Sequence, residues 1–535
     1  MELFSARTLI LAFILAVTIH KLFFSTKKTV SMTQHYSYSS SVYSSHPDLI
    51  VFDQAKVPGV GYGKSPIFAS WRGAIKFMLQ PRRQLWKGYQ KYRKSYFKIS
   101  TLREEYVLVS DRRKIAEYLA APEDALSSMD VGVDEVQSKW TIGDNPPWHR
   151  KLISGKLTQN ISNNVPFMLE EINEALNKTI GDPSGETPPP HEQKWDADSE
   201  ALVDWTEVSV WDLLSKVVIR AISQAFVGSS LCKNEEYLDN AISFTKAVAI
   251  SAEMIRLLPV WLKPYAVRVT PSWRRRKVAE ELMKDEIIMR LRVSHKGKDK
   301  PNDLLQWVVD ASPAKERTVK DIAERIMGLN VAAIHTTTSL LTSTLALLAT
   351  DSADYISTLR REVEANLESG RVTQKTMTSA VNLDSFLRES GRLNLTSMIG
   401  LMRAARKDFR FTDGKLIPAG TRIGVPAISI HTDPANYSAP EKFDAFRFAR
   451  WRERAGDETS YQLASTELEY LTFGHGKHAC PGRFFAAGLM KLVIAAIVLR
   501  YDIKLAPGTK PKQRYFGKYT LLDTSLRILV RRRNG

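Results

Sequence analysis

The clearest pattern of apolar and polar positions lies between Thr318 and Thr350. This stretch contains no proline and only one glycine, Gly328, and apolar or small residues occupy most faces of the helix that it would form. Thr318 and Asp321 make a start that resembles a capping box. The pattern predicts one buried helix of about 30 residues that crosses a whole domain.

Strand patterns are fewer than helical ones. Residues Arg103–Ser110 read as a short strand, and the chain is mostly helical from Arg112 onward. Residues Ile417–Pro426 are typical of strand and turn, and a second apolar helix is expected from Pro481 to Leu499. That helix is too short and too interrupted by Lys491 and Gly488 to span a bilayer. The chain therefore reads as mainly helical with a smaller strand-rich part.

An apolar run, Thr8–Phe24, lies near the start of the chain. Its length is marginal for a membrane span, which needs about 20 residues. Arg7 precedes the run, whereas Lys21, Lys27 and Lys28 follow it, so the charge balance places the remainder of the chain in the cytosol. We expect an uncleaved anchor over 1–24, a linker over 25–56 and one folded domain over 57–535. A cleaved signal and a surface-lying helix remain alternatives.

Composition and charge narrow the classes of partner. The 535 residues carry a formal net charge of +18, which suits an anionic membrane surface or an acidic protein, or forms a solvated basic face. No signature of a nucleic-acid-binding module accompanies the charge, so we expect no nucleic-acid partner. The two cysteines, Cys232 and Cys480, exclude a disulfide framework and favour a reducing compartment.

The most informative stretch surrounds Cys480. Residues 473–482, FGHGKHACPG, have the form F-x-x-G-x-x-x-C-x-G. The glycines permit a tight turn and close approach to a flat ligand. Cys480 is expected just before a helix, with Pro481 in its first turn, where free N–H groups and the helix dipole would stabilise a thiolate. A thiolate bound to haem iron donates electron density that favours O–O cleavage.

This loop resembles the haem-binding loop of the cytochrome P-450 superfamily at every defining position. Two other interpretations stay open: Cys480 as a buried core cysteine, and a zinc site formed by His475, His478 and Cys480. The resemblance implies a single haem-thiolate monooxygenase fold, mainly α with a smaller β-rich part, preceded by the transmembrane anchor. It implies haem b as cofactor and Cys480 as the iron ligand, with Phe473, Gly476 and Gly482 in the haem-binding loop.

A second motif supports the resemblance. Glu389 and Arg392 form E-x-x-R and share a helix face. In its order before the cysteine loop, the pair resembles the structural ion-pair motif of the family, with Arg447 as its third member. We assign these residues to folding of the core on the haem side.

The middle of the long helix, Ala332–Thr337, is similar to the family's oxygen-activation stretch. The resemblance implies that Thr336 relays protons during oxygen activation. His335 stands where the family usually has an acid, and a histidine can also shuttle a proton. The alternative for His335 is a packing residue that points away from the haem.

Haem propionates need cationic or donor partners. His478 and Arg403 match family positions for that role, and His149 occupies the place where a tryptophan is common, with Lys156 seven residues on. For His149 and Arg403 the alternative is an ordinary surface or capping residue.

The resemblance also implies a function. We expect a monooxygenase that oxidises a lipophilic small molecule, a terpenoid or related fungal metabolite, with electrons from an NADPH-dependent cytochrome P-450 reductase that docks on the basic surface at Lys477 and Arg483. The alternative is an isomerase, dehydratase or peroxygenase that acts without the reductase. The expected location is the endoplasmic reticulum membrane, single-pass, with a monomeric catalytic domain facing the cytosol. Family positions of the substrate pocket correspond to 126–138, Val331, 395–399 and 515–521.

Overall fold

The computed structural model describes seven stretches of the chain, 57–62, 69–143, 146–181, 205–292, 300–350, 352–521 and 523–533. The predicted anchor over 1–24 and the whole of the predicted linker over 25–56 therefore lie outside the described residues.

Helices dominate the described chain. In chain order they are α1 Ala69–Leu79, α2 Pro81–Lys91, α3 Arg112–Ala120, α4 Ser128–Val136, α5 Ser138–Thr141, α6 Arg150–Leu152, α7 Ile161–Ile180, α8 Val210–Cys232, α9 Glu235–Arg256, α10 Lys263–Ala266, α11 Pro271–Arg292, α12 Leu304–Ala311, α13 Val319–Thr350, α14 Ser352–Ala365, α15 Gln374–Ser379, α16 Val381–Leu393, α17 Ala427–His431, α18 Arg447–Ala455 and α19 Arg483–Arg500. A π-helical turn, Ile153–Leu157, follows α6, and a 3₁₀ turn, Gly476–His478, precedes α19.

The strands form small separate sheets. Their bounds are β1 Tyr96–Ser100, β2 Glu105–Val109, β3 Leu126–Ser127, β4 Thr206–Ser209, β5 Gly400–Ala405, β6 Phe409–Arg410, β7 Leu416–Ile417, β8 Arg422–Val425, β9 Tyr501–Leu505, β10 Arg514–Phe516, β11 Tyr519–Leu521 and β12 Arg527–Arg532. A five-stranded mixed sheet has the order β1-β2-β8-β5-β3, and a three-stranded sheet has the order β4-β12-β9. Strands β6 and β7 pair with each other, as do β10 and β11.

Helix α13 is the centre of the larger hydrophobic core. It begins after Thr318, whose hydroxyl accepts a hydrogen bond from the Asp321 amide at 3.1 Å and donates to the Asp321 carboxylate at 2.6 Å. The predicted start and end of this helix are therefore confirmed. α13 packs against α8, α9, α11, α16 and α19. It is long and apolar enough to cross a membrane, but 56% of its most apolar stretch of 18 residues is buried inside the domain, as expected of a core helix.

A second core forms where α1–α3 cover the five-stranded sheet. Phe97 and Ile99 of β1 and Leu108 and Val109 of β2 are fully buried there. The strand predicted over Arg103–Ser110 is confirmed as β2, which is shorter by three residues. This sheet carries β5, the strand that places Arg403 at the candidate site.

Candidate functional site

The loop around Cys480 is a closed turn. The Cys480 amide donates to the Phe473 carbonyl at 2.8 Å, which brings the two ends of the loop together. Gly474 and Gly476 both have φ of 70°, a left-handed conformation that favours glycine. Phe473 is half-buried against the larger core.

Helix α19 begins at Arg483 with Gly482 as its N-cap, two residues later than predicted. Pro481 therefore lies outside the helix, in a turn where the Arg483 amide donates to the Cys480 carbonyl at 3.4 Å. Gly482 has φ of −93°, so its backbone is not one that requires glycine, and a Cβ there would meet Ile153 at an ordinary 3.5 Å. Its amide instead donates a hydrogen bond to the Cys480 sulfur.

The environment of the Cys480 sulfur contains opposing effects. Burial raises the pKa of the thiol, while the Gly482 amide and the guanidinium groups of Arg483 and Arg150 lower it, and burial is the larger effect. A thiol that coordinates a metal ion is deprotonated outright. The surroundings therefore suit a thiolate that is coordinated by a cation. The other cysteine, Cys232, is fully buried and burial raises its pKa to about 12, so it is an inert packing residue.

Arg403 is a buried cation without an acidic partner among the described residues. Its side chain is 4% exposed, and its one recorded hydrogen bond goes to the Met402 carbonyl at 2.9 Å. Burial lowers the pKa of this guanidinium. Since an uncompensated buried charge is costly, this arrangement suits an anionic ligand.

His478 lies near Arg403, and one of its ring nitrogens also lacks a hydrogen-bond partner among the described residues. Its Nδ1 is 3.2 Å from the Ser128 hydroxyl, and its buried Nε2 has no hydrogen-bond partner, although the Glu123 carboxylate is 3.3 Å away. Burial and the neighbouring Arg403 lower the pKa of His478, so its ring is neutral near pH 7. An anion placed here would receive a donor from His478 and a charge from Arg403.

Arg150 is the cation that the sequence analysis did not identify. It is close enough to Cys480, Arg403 and His478 to lower the pKa of each, and no ion pair is recorded for it in the described part of the chain. Arg150 directly follows His149, which the sequence predicted for this role, and that position could have indicated it.

His149 itself takes a different partner from the one predicted. Its Nδ1 lies 2.7 Å from the Arg325 guanidinium of α13, and burial followed by Arg325 lowers its pKa to about 4. Adjacent residues of a helical turn point in directions about 100° apart, so only one of His149 and Arg150 can face Arg403. His149 therefore contacts Arg325, while the charge of Arg150 acts on Cys480, Arg403 and His478.

One stripe of α13 is accessible in the middle of an otherwise buried helix. Ala332 and Thr336 are exposed, whereas Ile334, Thr337 and Thr338 are at most 5% exposed. The Thr336 hydroxyl donates to the Ala332 carbonyl at 2.8 Å, so its oxygen lone pairs face the accessible side. The stripe therefore presents a hydroxyl and a small side chain on the accessible side of an otherwise buried helix segment.

His335 does not share this stripe. Its ring stacks on Trp211 of α8, with centroids 5.5 Å apart and planes 14° from parallel. Burial, followed by the charge of Lys246, lowers its pKa to about 4. A neutral imidazole that packs against an indole is poorly placed to exchange protons beside Thr336, so the geometry disfavours the predicted shuttle role.

The predicted ion-pair motif is formed as expected. Arg392 pairs with Glu389 at 2.7 Å, and Arg447 reaches the same carboxylate at 3.2 Å. Arg392 also donates to the His431 carbonyl at 2.6 Å, and His431 Nε2 accepts from the Leu471 amide at 2.7 Å. The motif is thus connected by hydrogen bonds to Leu471, two residues before Phe473, and stabilises the chain that leads into the cysteine loop.

The four segments predicted to border the substrate pocket meet in the structure. The carboxylate of Glu135, in α4, bonds to Lys518 and Tyr519 of the β10–β11 hairpin. The hairpin in turn bonds to the segment after α16, where the Met398 amide donates to the Lys518 carbonyl at 2.7 Å. Val331 of α13 and Val136 of α4 line one cavity of about 430 Å³.

These residues fit a haem with propionate groups and a thiolate ligand. The fit rests on Arg403 without an acid, on the orphaned His478 Nε2, and on the accessible Ala332–Thr336 stripe. The zinc alternative lacks its ligands, because no group of three or more His, Cys, Asp or Glu side chains within the described ranges is arranged to hold a metal ion. The site is of the haem-thiolate class.

Comparisons with known proteins agree with the site. The family model "Cytochrome P450" matches residues 65–531. Cytochrome P450 monooxygenase 151 of Postia placenta is 35% identical over 482 residues, 88% of this chain and 93% of that protein. Cytochrome P450 monooxygenase olcJ of Penicillium canescens is 31% identical, with 86% of each chain covered, and the ent-kaurene oxidase of Gibberella intermedia is 28% identical, with 90% and 88% covered.

A solved structure shows the same fold. A retinoic acid-bound cyanobacterial protein, CYP120A1, superposes with a TM-score of 0.63 at 18% identity, over 89% of this chain and 99% of that chain. The chain belongs to the cytochrome P450 family and is a haem-thiolate monooxygenase.

Proposed function

We propose that the protein oxidises a lipophilic small molecule, a terpenoid or a related fungal metabolite, with electrons from an NADPH-dependent cytochrome P-450 reductase. The observation that carries the site assignment is the buried guanidinium of Arg403, which has no acidic partner in the described chain and lies beside the Cys480 loop. The terpenoid class is supported by the similarity to an ent-kaurene oxidase.

Cys480 is the proposed iron ligand, in the loop formed by Phe473, Gly476 and Gly482. Arg403, His478 and Arg150 are the proposed partners of the propionates, with Arg150 in the place first expected for His149. The proposal is supported by the charges and donors that these three residues leave unused. When bound, the haem supplies the activation of molecular oxygen.

The chain's own contribution is positioning and proton control. Thr336 is the proposed residue that holds and moves a proton at its Oγ1, since its hydroxyl lies on the accessible stripe of α13. The apolar side chains around Val331 exclude water and bind the body of the substrate. His335 is not part of this proposed relay.

The reductase is proposed to dock on the basic surface near Cys480. Lys151, Lys156 and Lys477 are exposed there, on two segments that lie side by side where Gly482 faces Ile153. Lys477 keeps its position through a 2.8 Å hydrogen bond to the Ala121 carbonyl. Such a surface suits the acidic face of an electron donor. We further propose single-pass anchoring in the endoplasmic reticulum membrane with a monomeric catalytic domain in the cytosol.

Turnover tests this proposal. The full-length protein is incubated with a panel of terpenoid intermediates, with and without NADPH and reductase, and products are identified by mass spectrometry. We expect products that carry one added oxygen only when reductase and NADPH are both present. Products formed in their absence would refute the proposal in favour of an isomerase, a dehydratase or a peroxygenase.

A further inference from the structure

The cavity that contains Val331 also contains two unused hydrogen-bond donors. It lies between α8, α9 and α13 and has a volume of about 430 Å³. Val136, Val248, Ala249 and Val331 supply apolar walls, and Trp211 forms one side. Lys246 of α9, which is exposed, and His335 of α13, which is half-buried, also line this mainly apolar space.

Lys246 has no recorded partner. No ion pair or hydrogen bond involves its ammonium group within the described residues, and no acidic side chain lines the cavity. The neighbouring Thr245 does not compete as a ligand, since its hydroxyl donates to the Ala241 carbonyl of its own helix at 3.3 Å. The residues that line the cavity therefore carry one positive charge, that of a solvent-exposed lysine, and no acidic side chain among them pairs with it.

His335 adds a donor held in a fixed direction. Its ring is stacked on Trp211 with planes 14° apart, and neither ring nitrogen has a recorded hydrogen bond in the described chain. A neutral imidazole presents one N–H donor. Lys246 lies near enough to His335 to disfavour its protonated form. A lysine at the exposed edge of an apolar cavity and an N–H donor in its wall can together bind the oxygen atoms of an anion.

The position of the donors relates them to the proposed reaction site. Val331 and His335 are four residues apart and form one stripe of α13, and Ala332 and Thr336 form the adjacent stripe. A ligand whose anionic end lies at His335 can therefore extend its apolar body over the helix toward Ala332 and Thr336.

We propose that Lys246 and His335 form a carboxylate-binding subsite, and that the substrate is a lipophilic carboxylic acid. This inference rests on the proposed function, because it takes the ligand of the cavity to be the molecule that is oxidised. It gives His335 a role in substrate recognition in place of proton transfer.

Binding to the full-length, haem-loaded protein tests the subsite. The ligands are dehydroabietic acid and hexadecanoic acid, each compared with its own methyl ester, which removes the charge and keeps the apolar body. Dissociation constants are measured from the shift of the haem Soret band and by calorimetry. We expect at least one acid to bind about tenfold or more tightly than its ester, as a charge-assisted hydrogen bond implies.

Variants identify the residues responsible. Lys246→Met should abolish the preference for the acid, and Lys246→Arg should retain it. His335→Phe keeps an aromatic ring on Trp211 and removes the N–H, so it should weaken binding of the acid and leave binding of the ester unchanged. Lys216→Met is the matched control, because Lys216 is an exposed lysine of α8 that does not line the cavity; it should retain the preference.

Three results would overturn the inference: neither acid binds more tightly than its ester, the preference survives in Lys246→Met, or His335→Phe binds the acid as the natural protein does. The reduced carbon monoxide spectrum separates this inference from the proposed function. A normal thiolate-haem spectrum together with any of these results overturns the carboxylate subsite alone. A protein without that spectrum contradicts the haem site itself.

Discussion

Arg392 and Glu389 pair at 2.7 Å with both side chains fully excluded from solvent. The same guanidinium donates to the carbonyl oxygens of His431 and Pro440, and Arg447 shares the carboxylate. Because every charge in this group has a partner, the ion pairs and hydrogen bonds offset the desolvation penalty of burying it in the core. The group connects α16 to α17 and to α18, and through His431 it reaches the residues that lead into the cysteine loop.

Replacing Arg392 should destabilise the fold strongly. In Arg392→Leu the Glu389 carboxylate keeps only Arg447 and one backbone amide as partners, and we expect the free energy of unfolding to fall by about 3 to 5 kcal/mol. Chemical denaturation of the haem-loaded protein measures this. The matched control is Arg361→Leu in α14, an exposed arginine, for which a change within about 0.5 kcal/mol is expected. A loss below about 1 kcal/mol in Arg392→Leu would show that the group is not a structural anchor.

Replacing Arg403 should have different effects on the haem-free and haem-loaded protein. The haem-free protein should lose no stability, whereas the haem-loaded protein should lose its haem faster. Arg403→Met removes a buried charge without an acidic partner in the described chain, so the haem-free protein should be as stable as the natural one or more so. The haem-loaded protein loses a proposed propionate partner, and transfer of haem to apomyoglobin should be at least about tenfold faster. Arg410→Met, at an exposed strand position, serves as the control. Equal haem transfer in both variants would contradict the assignment.

Thr336 should control coupling and leave the fold intact. In Thr336→Ala we expect NADPH consumption to continue while product per NADPH drops about a hundredfold, the lower end of the range typical of lost general acid–base catalysis. Thr350→Ala in the same helix is the control, since Thr350 makes the same kind of bond, to the Ala346 carbonyl at 2.7 Å, at the far end of α13. The ratio of product to NADPH decides the matter, and an unchanged ratio in Thr336→Ala would exclude the relay.

Acid should destabilise the protein through His431. Its Nε2 accepts from the Leu471 amide, and burial lowers its pKa to about 3, so the folded state stays neutral where the unfolded chain binds a proton. The free energy of unfolding should therefore fall below pH 6.5, by about 1.4 kcal/mol for each pH unit from this group. In His431→Gln the decrease between pH 6.5 and pH 5 should be smaller by about 2 kcal/mol. Identical decreases in the variant and the natural protein would remove His431 as the source.

Features set by local spacing could be predicted from the sequence. The closed turn at Cys480 depends on glycines and a cysteine within ten residues, and the pairing of Glu389 with Arg392 depends on a helical spacing of three. The start of α13 depends on Thr318 and Asp321, whose mutual hydrogen bonds need no distant partner. In each case the interacting groups lie within a few positions of one another, so their geometry follows from the local backbone.

Side-chain directions set by distant partners could not be predicted. Whether His149 or Arg150 faces Arg403 depends on Arg325, which is 176 positions from His149 and donates to its ring. The orientation of His335 depends on Trp211, in another helix. Helix α19 starts two residues later than predicted, after a turn in which the Arg483 amide donates to the Cys480 carbonyl. The sequence carries the residue types in all three cases, and packing decides where they point.

The reduced carbon monoxide difference spectrum tests the central claim most directly, since it reports whether Cys480 holds the iron as a thiolate. The natural protein, purified with haem, should show the red-shifted Soret band of a thiolate-ligated haem, and Cys480→Ser should lack that band. Cys232→Ser should keep it, because Cys232 is a buried packing residue. A natural protein without the band, or a Cys480→Ser variant that retains it, would contradict the account.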